Sequence, residues 1–189
     1  MFISKTPTPY EGEPWGFDNG AYICWKQGKG FDEDAFQRRL DVALSKGTPY
    51  LAVTPDIVAE GERSLEYSLE WIDRLPDWPW YLAVQDGMTL DGVEKVLDKF
   101  AGLFLGGTDK FKATAYYWRE LSHKYGKRFH YGRAGTRRKI LHAVESGADS
   151  ADSAFPLWTT ERLLQTVGFL VGRNKQGVLW GIEEASTKP

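Results

Sequence analysis

Cysteine is almost absent from this 189-residue chain, and the chain has no long apolar run. The single cysteine, Cys24, can form no disulfide within the chain and cannot build a cysteine-rich zinc site, so we expect a reducing compartment or indifference to redox state. Runs such as Tyr81–Val84 and Ala101–Leu105 fall far below the roughly 20 residues that span a bilayer. Met1–Tyr10 lacks a signal-peptide pattern. We therefore expect a soluble, cytoplasmic protein with no membrane partner.

Net charge is small as well, because 24 basic residues face 26 acidic ones. This balance excludes a uniformly basic nucleic-acid binder, and an aromatic content of 14% excludes a mostly disordered chain. The charge is uneven, however. Ten basic and only two acidic residues lie between Asp109 and Ala143, which gives this segment a net charge of +8 and leaves −10 for the rest.

This basic segment is interleaved with aromatic residues, as a surface for a phosphate backbone would be, although a solvated helix face has the same composition. All three histidines lie in it, and we interpret His130 as a structural or phosphate-contacting residue rather than a catalytic one. The predicted phosphate contacts are Lys110, Lys112, Arg133, Arg137 and Arg138.

Short apolar runs alternate with amphipathic stretches along the chain. In Asp32–Lys46, for example, apolar residues recur at helical spacing before Gly47. The other predicted helices are Ser64–Leu75, Asp91–Phe100, Asp109–Tyr125, Thr136–Ser146 and Thr159–Val171. The predicted strands are Tyr50–Thr54, Trp80–Val84, Leu103–Leu105, Arg128–Tyr131 and Val178–Ile182, with a short run at Trp15–Asp18 and a strand or turn at Ala148–Ala154.

Such βα alternation without a Pro/Gly/Ser-rich linker predicts a single α/β domain over residues 1–189, with a parallel sheet covered by helices. Two architectures fit the pattern, a (βα)8-type barrel and an open doubly wound sheet. The chain is short for a full barrel, which usually has at least ~200 residues.

Polar and small residues follow the predicted strands, where parallel α/β proteins form their active sites. The set lacks a metal-ligand cluster, a phosphate-binding loop and a nucleophile elbow, so we expect no metal and no cofactor. Converging carboxylates suit chemistry at an anomeric carbon, since one can attack C1′ while another moves a proton at the leaving base. The polar and small residues that follow the predicted strands include Asp18, Asp56, Gln85, Asp86, Gly106, Gly107, Asp149 and Asp152.

Several of these segments resemble the tRNA-guanine transglycosylase superfamily, and most closely its short phage and bacterial branch of DpdA-like DNA transglycosylases. The longest such stretch is Gly135–Pro156, GTRRKILHAVESGADSADSAFP, which follows the family pattern without gaps. Four shorter segments agree in order: Phe17–Tyr22, Val53–Asp56, Val84–Gly87 and Leu105–Gly107.

The resemblance implies a TIM-barrel fold, here short or partly reduced, and exchange of guanine in a nucleic acid for a preQ0-like 7-deazaguanine. It implies that Asp152 is the nucleophile and Asp18 the general acid/base, and that Asp56, Gln85 and the backbone of Gly106 and Gly107 bind the base. The family's zinc ligands are missing, which favours DNA over tRNA as the partner. If a phage encodes the protein, its compartment is the host cytoplasm.

Two alternatives remain open at this point. One is an N-glycoside hydrolase or another barrel enzyme that acts on a small metabolite. The other is a catalytically inactive barrel that binds DNA.

Overall fold

The computed structural model describes residues 2–3 and 14–172. Their strands form one parallel sheet, and most connections between strands contain helices. The strands are β1 (Phe2–Ile3), β2 (Gly16–Phe17), β3 (Leu51–Val53), β4 (Trp80–Val84), β5 (Gly102–Leu105), β6 (Arg128–Tyr131) and β7 (Ser150–Ala151). The helices are α1 (Ala21–Lys26), α2 (Glu33–Leu44), α3 (Glu62–Ile72), α4 (Leu90–Glu94), α5 (Asp109–Lys112), α6 (Ala115–Lys124), α7 (Arg137–Glu145) and α8 (160–172). The predicted strand Val178–Ile182 lies outside the described residues.

Strand order separates the two predicted architectures. Each strand pairs with the next one along the chain, from β1 to β7, so every crossover steps in the same direction. A doubly wound sheet reverses direction at an inner strand, and this sheet does not. Over residues 2–3 and 14–172 no pairing joins β7 to β1. The mixed α/β class is therefore confirmed, and the sheet is a partial barrel.

The sheet is strongly curved. Asp18 follows β2 and Asp152 follows β7, and in a flat sheet five strand spacings of ~4.8 Å would separate these two ends by about 24 Å. Instead, both side chains line one cavity, and the charge of Asp152 raises the pKa of Asp18. The curvature brings the carboxyl ends of β2 and β7 to the same site.

Burial along β4 shows which face of the sheet packs against the helices and which face is turned toward the cavity. All five residues of this strand are buried, as expected for a parallel strand covered on both faces. Leu82 and Val84 pack into the main core beneath the helices, whereas Tyr81 and Ala83 pack on the opposite face. The face that carries Ala83 forms the floor of the cavity.

Aromatic side chains fill the core beside β2 and α2. The ring of Phe17 contacts Phe36, Trp78 and Trp80 edge to face, with centroids 5.6–6.1 Å apart. Trp71 belongs to the same cluster. These tryptophans therefore pack the core on this side of the sheet.

Two predicted helices were wrong in their extent, and one helix was not predicted. The helix predicted over Asp109–Tyr125 is two helices, because the Thr114 hydroxyl donates to the Phe111 carbonyl and interrupts the helical pattern. The helix predicted over Asp91–Phe100 is the short α4 followed by a 3₁₀ turn at Leu97–Lys99. The sequence interpretation also missed α1, which begins directly after the turn at Asn19-Gly20.

Within the described ranges, no helix has both the length and the apolar character needed to cross a bilayer.

Candidate active site

A cavity of about 600 Å³ lies at the carboxyl ends of the strands, within the size range of small-molecule sites. Residues that follow six different strands contribute to its wall. The predicted site residues found there are Asp18, Asp56, Gln85, Gly106, Gly107, Lys112, Arg133 and Asp152. Eight of the eleven predicted positions therefore share one cavity, while Lys110, Arg137 and Arg138 are exposed outside its wall.

Asp152 follows β7 and presents an ionised carboxylate to the cavity. Its Oδ1 atom accepts hydrogen bonds from the backbone N–H of Arg133 at 2.7 Å and from His130 Nε2 at 3.2 Å. Burial alone would raise the pKa of Asp152, but these hydrogen bonds and the positive charge of Lys112 hold it below its ordinary value. An ionised carboxylate of this kind can act as a nucleophile.

Asp18 has the opposite electrostatic environment. Burial raises the pKa of Asp18 above its ordinary value, and the negative charge of Asp152 adds to this effect. A hydrogen bond from the Gly20 N–H at 3.1 Å and the charges of Arg39 and Arg133 only partly oppose it. The cavity therefore contains one carboxyl whose protonated form is favoured, Asp18, and one whose ionised form is favoured, Asp152.

Asn19 joins the loop after β2 to the loop after β3. Its Nδ2 atom donates to the Thr54 carbonyl and to Asp56 Oδ1, both at 2.6 Å, while its Oδ1 atom accepts from the Ala21 N–H and starts α1. Gly20 follows with φ +78°, in a region where a side chain would also meet the Arg39 guanidinium. The buried amide of Asn19 therefore fixes the loop between Asp18 and the start of α1.

Asp56 is the deepest carboxyl of the site, with 7% of its surface exposed. Burial raises its pKa to about 7, although the hydrogen bond from Asn19 acts in the other direction. Gln85 Nε2 donates to Asp56 Oδ2 at 3.2 Å and to Ser64 Oγ at 2.7 Å, and Gln85 Oε1 accepts from the Ala59 N–H. The amide of Gln85 therefore holds Asp56 and the loop after β3 in place.

Glycine backbone forms the cavity wall after β5. The N–H of Gly106 donates to the Val84 carbonyl at 2.8 Å, which continues the pairing of β5 with β4. Gly107 has φ +74°, and a Cβ atom there would lie 2.6 Å from Asp86 Oδ2. That carboxylate is fixed by the backbone N–H and the hydroxyl of Thr108, each at 2.7 Å. Only glycine fits between the Asp86 carboxylate and the cavity.

The predicted phosphate contacts fall into two groups. Lys112 is buried in the cavity wall, where its ammonium group donates to the Gly132 carbonyl and lies 5.1 Å from the centroid of the Tyr131 ring. Burial lowers the pKa of Lys112 to about 8. The other four side chains are exposed, and the guanidinium of Arg133 stacks over the Tyr22 ring at 3.5 Å, across the mouth of the cavity.

The sequence interpretation did not connect His130 and Ser150 with this site. His130 pairs with Ser150 in the register of β6 and β7, and the alternation along a strand places Ser150 and Asp152 on one face. Because alternate residues of a strand share a face, the sequence around β7 could have suggested that Ser150 and Asp152 both contact His130. Ser150 is not among the residues that line the cavity, so the Ser150–His130–Asp152 chain presents its carboxylate, and not its serine, to the cavity.

Among residues 2–3 and 14–172, no group of three or more His, Cys, Asp or Glu side chains is arranged to hold a metal ion. In comparisons with known proteins, no family model and no curated protein matches the chain.

Proposed function

We propose that this protein is a base-exchange transglycosylase that replaces guanine in a nucleic acid, with DNA as the preferred substrate, by a 7-deazaguanine of the preQ0 type. The observation that carries the proposal is the pair Asp18 and Asp152, which face one cavity with pKa values displaced in opposite directions. The chain would then be a short form of the (βα)8 barrel that works without a metal or a cofactor.

The reaction runs in two displacements at C1′. The Asp152 carboxylate attacks C1′, the bond to guanine N9 breaks with its electron pair going to the base, and the protonated Asp18 supplies the proton that guanine takes up on leaving. In the second step Asp18 accepts the N9 proton of the 7-deazaguanine. N9 then forms the new bond to C1′ and releases the Asp152 carboxylate.

Asp56 is suited to recognise the exchanged base. Guanine and 7-deazaguanines carry adjacent N–H donors on their pyrimidine ring, and a carboxyl with two oxygens can accept from both. Asn19 and Gln85 each donate to one oxygen of Asp56, which lines the cavity, so each oxygen retains a second lone pair that could accept from a ligand. The narrow wall at Gly106 and Gly107 leaves room for a planar base beside their backbone.

Exposed positive charge beside the cavity supports a nucleic-acid substrate. Arg133 lies at the mouth, and Arg137 and Arg138 begin the helix that follows the same loop. Backbone phosphates on either side of the reacting nucleotide can bind these guanidinium groups. In a duplex, the target nucleotide must leave the base stack to reach a cavity of this depth.

The test is base exchange on a guanine-containing DNA with a labelled 7-deazaguanine, followed by nucleoside mass spectrometry. The wild type should incorporate the label, and Asp152→Asn and Asp18→Asn should each lose at least about 100-fold of that rate. Asp73→Asn, which changes an exposed carboxyl far from the cavity, should exchange at the wild-type rate.

Other outcomes would replace the proposal. Release of free guanine without uptake of the labelled base would indicate an N-glycoside hydrolase. Salt-sensitive DNA binding with no chemistry in the wild type would indicate an inactive DNA-binding barrel.

A further inference from the structure

A buried polar chain lies directly behind Asp152. His130 is 2% exposed, and its two ring nitrogens face two residues of the neighbouring strand and its loop. Nδ1 lies 2.8 Å from Ser150 Oγ, and Nε2 lies 3.2 Å from Asp152 Oδ1. The Phe104 ring stacks on the imidazole with centroids 4.9 Å apart and planes 15° from parallel. The imidazole is therefore fixed both in its plane and across it.

The chemistry of the partners determines where the imidazole proton lies. An ionised carboxylate can only accept hydrogen bonds, so the nitrogen that faces Asp152 carries a proton. In a neutral imidazole the other nitrogen then accepts, and the Ser150 hydroxyl is the donor that it meets. Ser150 thereby selects the ring orientation and tautomer that direct Nε2–H at Asp152.

We propose that His130, held by Ser150, is a positioning residue that fixes the orientation of the Asp152 carboxylate and keeps it ionised. As a statement about catalysis this rests on the proposed function, in which Asp152 attacks C1′. The contact itself is independent of the substrate. The Arg133 N–H binds the same carboxylate oxygen as Nε2, which leaves the second oxygen of Asp152 to the cavity.

Several charged groups face Asp152 from different elements, and His130 is one contributor among them. Lys112 approaches from α5, the Arg133 N–H from the loop after β6, and Asp18 from the loop after β2. Removing the imidazole N–H therefore weakens the stabilisation of the ionised form without abolishing it. Ser150 and Asp152 are among the groups that surround the imidazole, and Phe104 stacks on its face.

The first experiment needs no substrate. Nitrogen-15 NMR of the labelled histidines at alkaline pH should show His130 with its proton on Nε2 and an unprotonated Nδ1. A spectrum with the proton on Nδ1 would overturn the proposed arrangement. The resonance can be assigned from its loss in His130→Gln.

The second experiment follows the Asp152 carboxyl by carbon-13 NMR, assigned from its loss in Asp152→Asn. In His130→Leu the titration midpoint of Asp152 should rise by about one pH unit, because one hydrogen bond to the charged form is gone. In His130→Gln, whose amide nitrogen can occupy the position of Nε2, the midpoint should stay at the wild-type value. A midpoint that is equal in wild type and His130→Leu would contradict the role of His130.

Base exchange gives the third readout. His130→Leu should exchange about 10- to 150-fold more slowly at neutral pH, the range that corresponds to one hydrogen bond to a charged group, and His130→Gln should recover most of that loss. If both variants fold, as judged by circular dichroism, and His130→Gln exchanges as slowly as His130→Leu, the positioning role is wrong. If His130→Leu does not fold, the nitrogen-15 spectrum and the Gln variant decide.

The outcomes separate this inference from the proposed function. A wild type that exchanges no base while the Asp152 midpoint moves with His130→Leu refutes the function and retains the role of His130. If exchange depends on Asp152 but the Asp152 midpoint and the exchange rate are unchanged in His130→Leu, the proposed function is retained and the role of His130 is refuted.

Discussion

Asp56→Asn should change how the stability of the protein depends on pH. The pKa of Asp56 is about 7 in the folded chain, against an ordinary value of 3.8. A group whose folded pKa is raised stabilises the fold fully below its unfolded pKa, and this stabilisation is lost as the pH rises through the folded pKa. Between pH 4 and pH 8, Asp56 should therefore lower the free energy of unfolding by about 4 kcal/mol, at 1.36 kcal/mol per unit of pKa.

The asparagine variant removes this dependence and introduces a smaller cost. Its NH₂ group must face one of the two amide donors that now bind the carboxyl, Asn19 Nδ2 or Gln85 Nε2, and one hydrogen bond of about 1 kcal/mol is lost. Near pH 4 the variant should thus be less stable than the wild type by about 1 kcal/mol, and near pH 8 more stable by about 3 kcal/mol.

Urea denaturation at intervals between pH 4 and pH 8 measures both curves, with Asp73→Asn as a control that should follow the wild type. The difference between wild type and Asp56→Asn measures Asp56 together with its electrostatic coupling to Asp18, because titrating groups that do not interact with Asp56 contribute equally to both curves. Parallel curves for the two proteins over this range would refute the argument that burial raises the pKa of Asp56.

Three other predictions follow from the same site. Gly107→Ala should destabilise the protein by more than Gly126→Ala, because both glycines have positive φ but only at Gly107 would a Cβ meet Asp86 and Phe111; urea midpoints compare the two. The double variant Arg137→Ala/Arg138→Ala should weaken DNA binding and reduce the slope of log affinity against log salt by about 2, whereas Arg63→Ala, on α3, should leave the slope unchanged. Lys112→Met should raise the titration midpoint of Asp152 and slow base exchange. The difference in exchange rate between wild type and Lys112→Met should become smaller above about pH 8, because the wild-type Lys112 then loses its own charge. An equal rate difference at every pH would count against an electrostatic role of Lys112.

Strand positions could be predicted from the sequence because parallel strands buried on both faces appear as continuous apolar runs. Trp80–Val84 is such a run and has the bounds that the sequence predicts. Arg128–Tyr131 also has its predicted bounds, although Arg128 and His130 interrupt its apolar character. Asp18, Asp56, Gln85 and Asp152 meet at one cavity for a related reason, since the ends of parallel strands share one edge of a sheet. Strand order could not be predicted, because it depends on which helices pack together and the alternation of elements is the same in both architectures.

Contacts between side chains of different loops were also beyond sequence reasoning. Lys112 belongs to a basic segment whose composition predicts an exposed surface, yet its position on α5 directs it into the cavity wall. The engagement of Gln85 by Asp56 and Ser64 depends on residues 21 and 29 positions away, and no local pattern carries that information.

Isolation of the covalent intermediate between Asp152 and C1′ would test the proposed mechanism directly. The protein is mixed with a guanine-containing DNA oligonucleotide in the absence of any incoming base, quenched in denaturant and examined by intact-mass spectrometry. We expect a wild-type species with the mass of the protein plus the oligonucleotide less guanine, attached at Asp152, and no such species with Asp152→Asn. A wild type that exchanges bases without this adduct, or an adduct that persists in Asp152→Asn, would contradict the proposed mechanism.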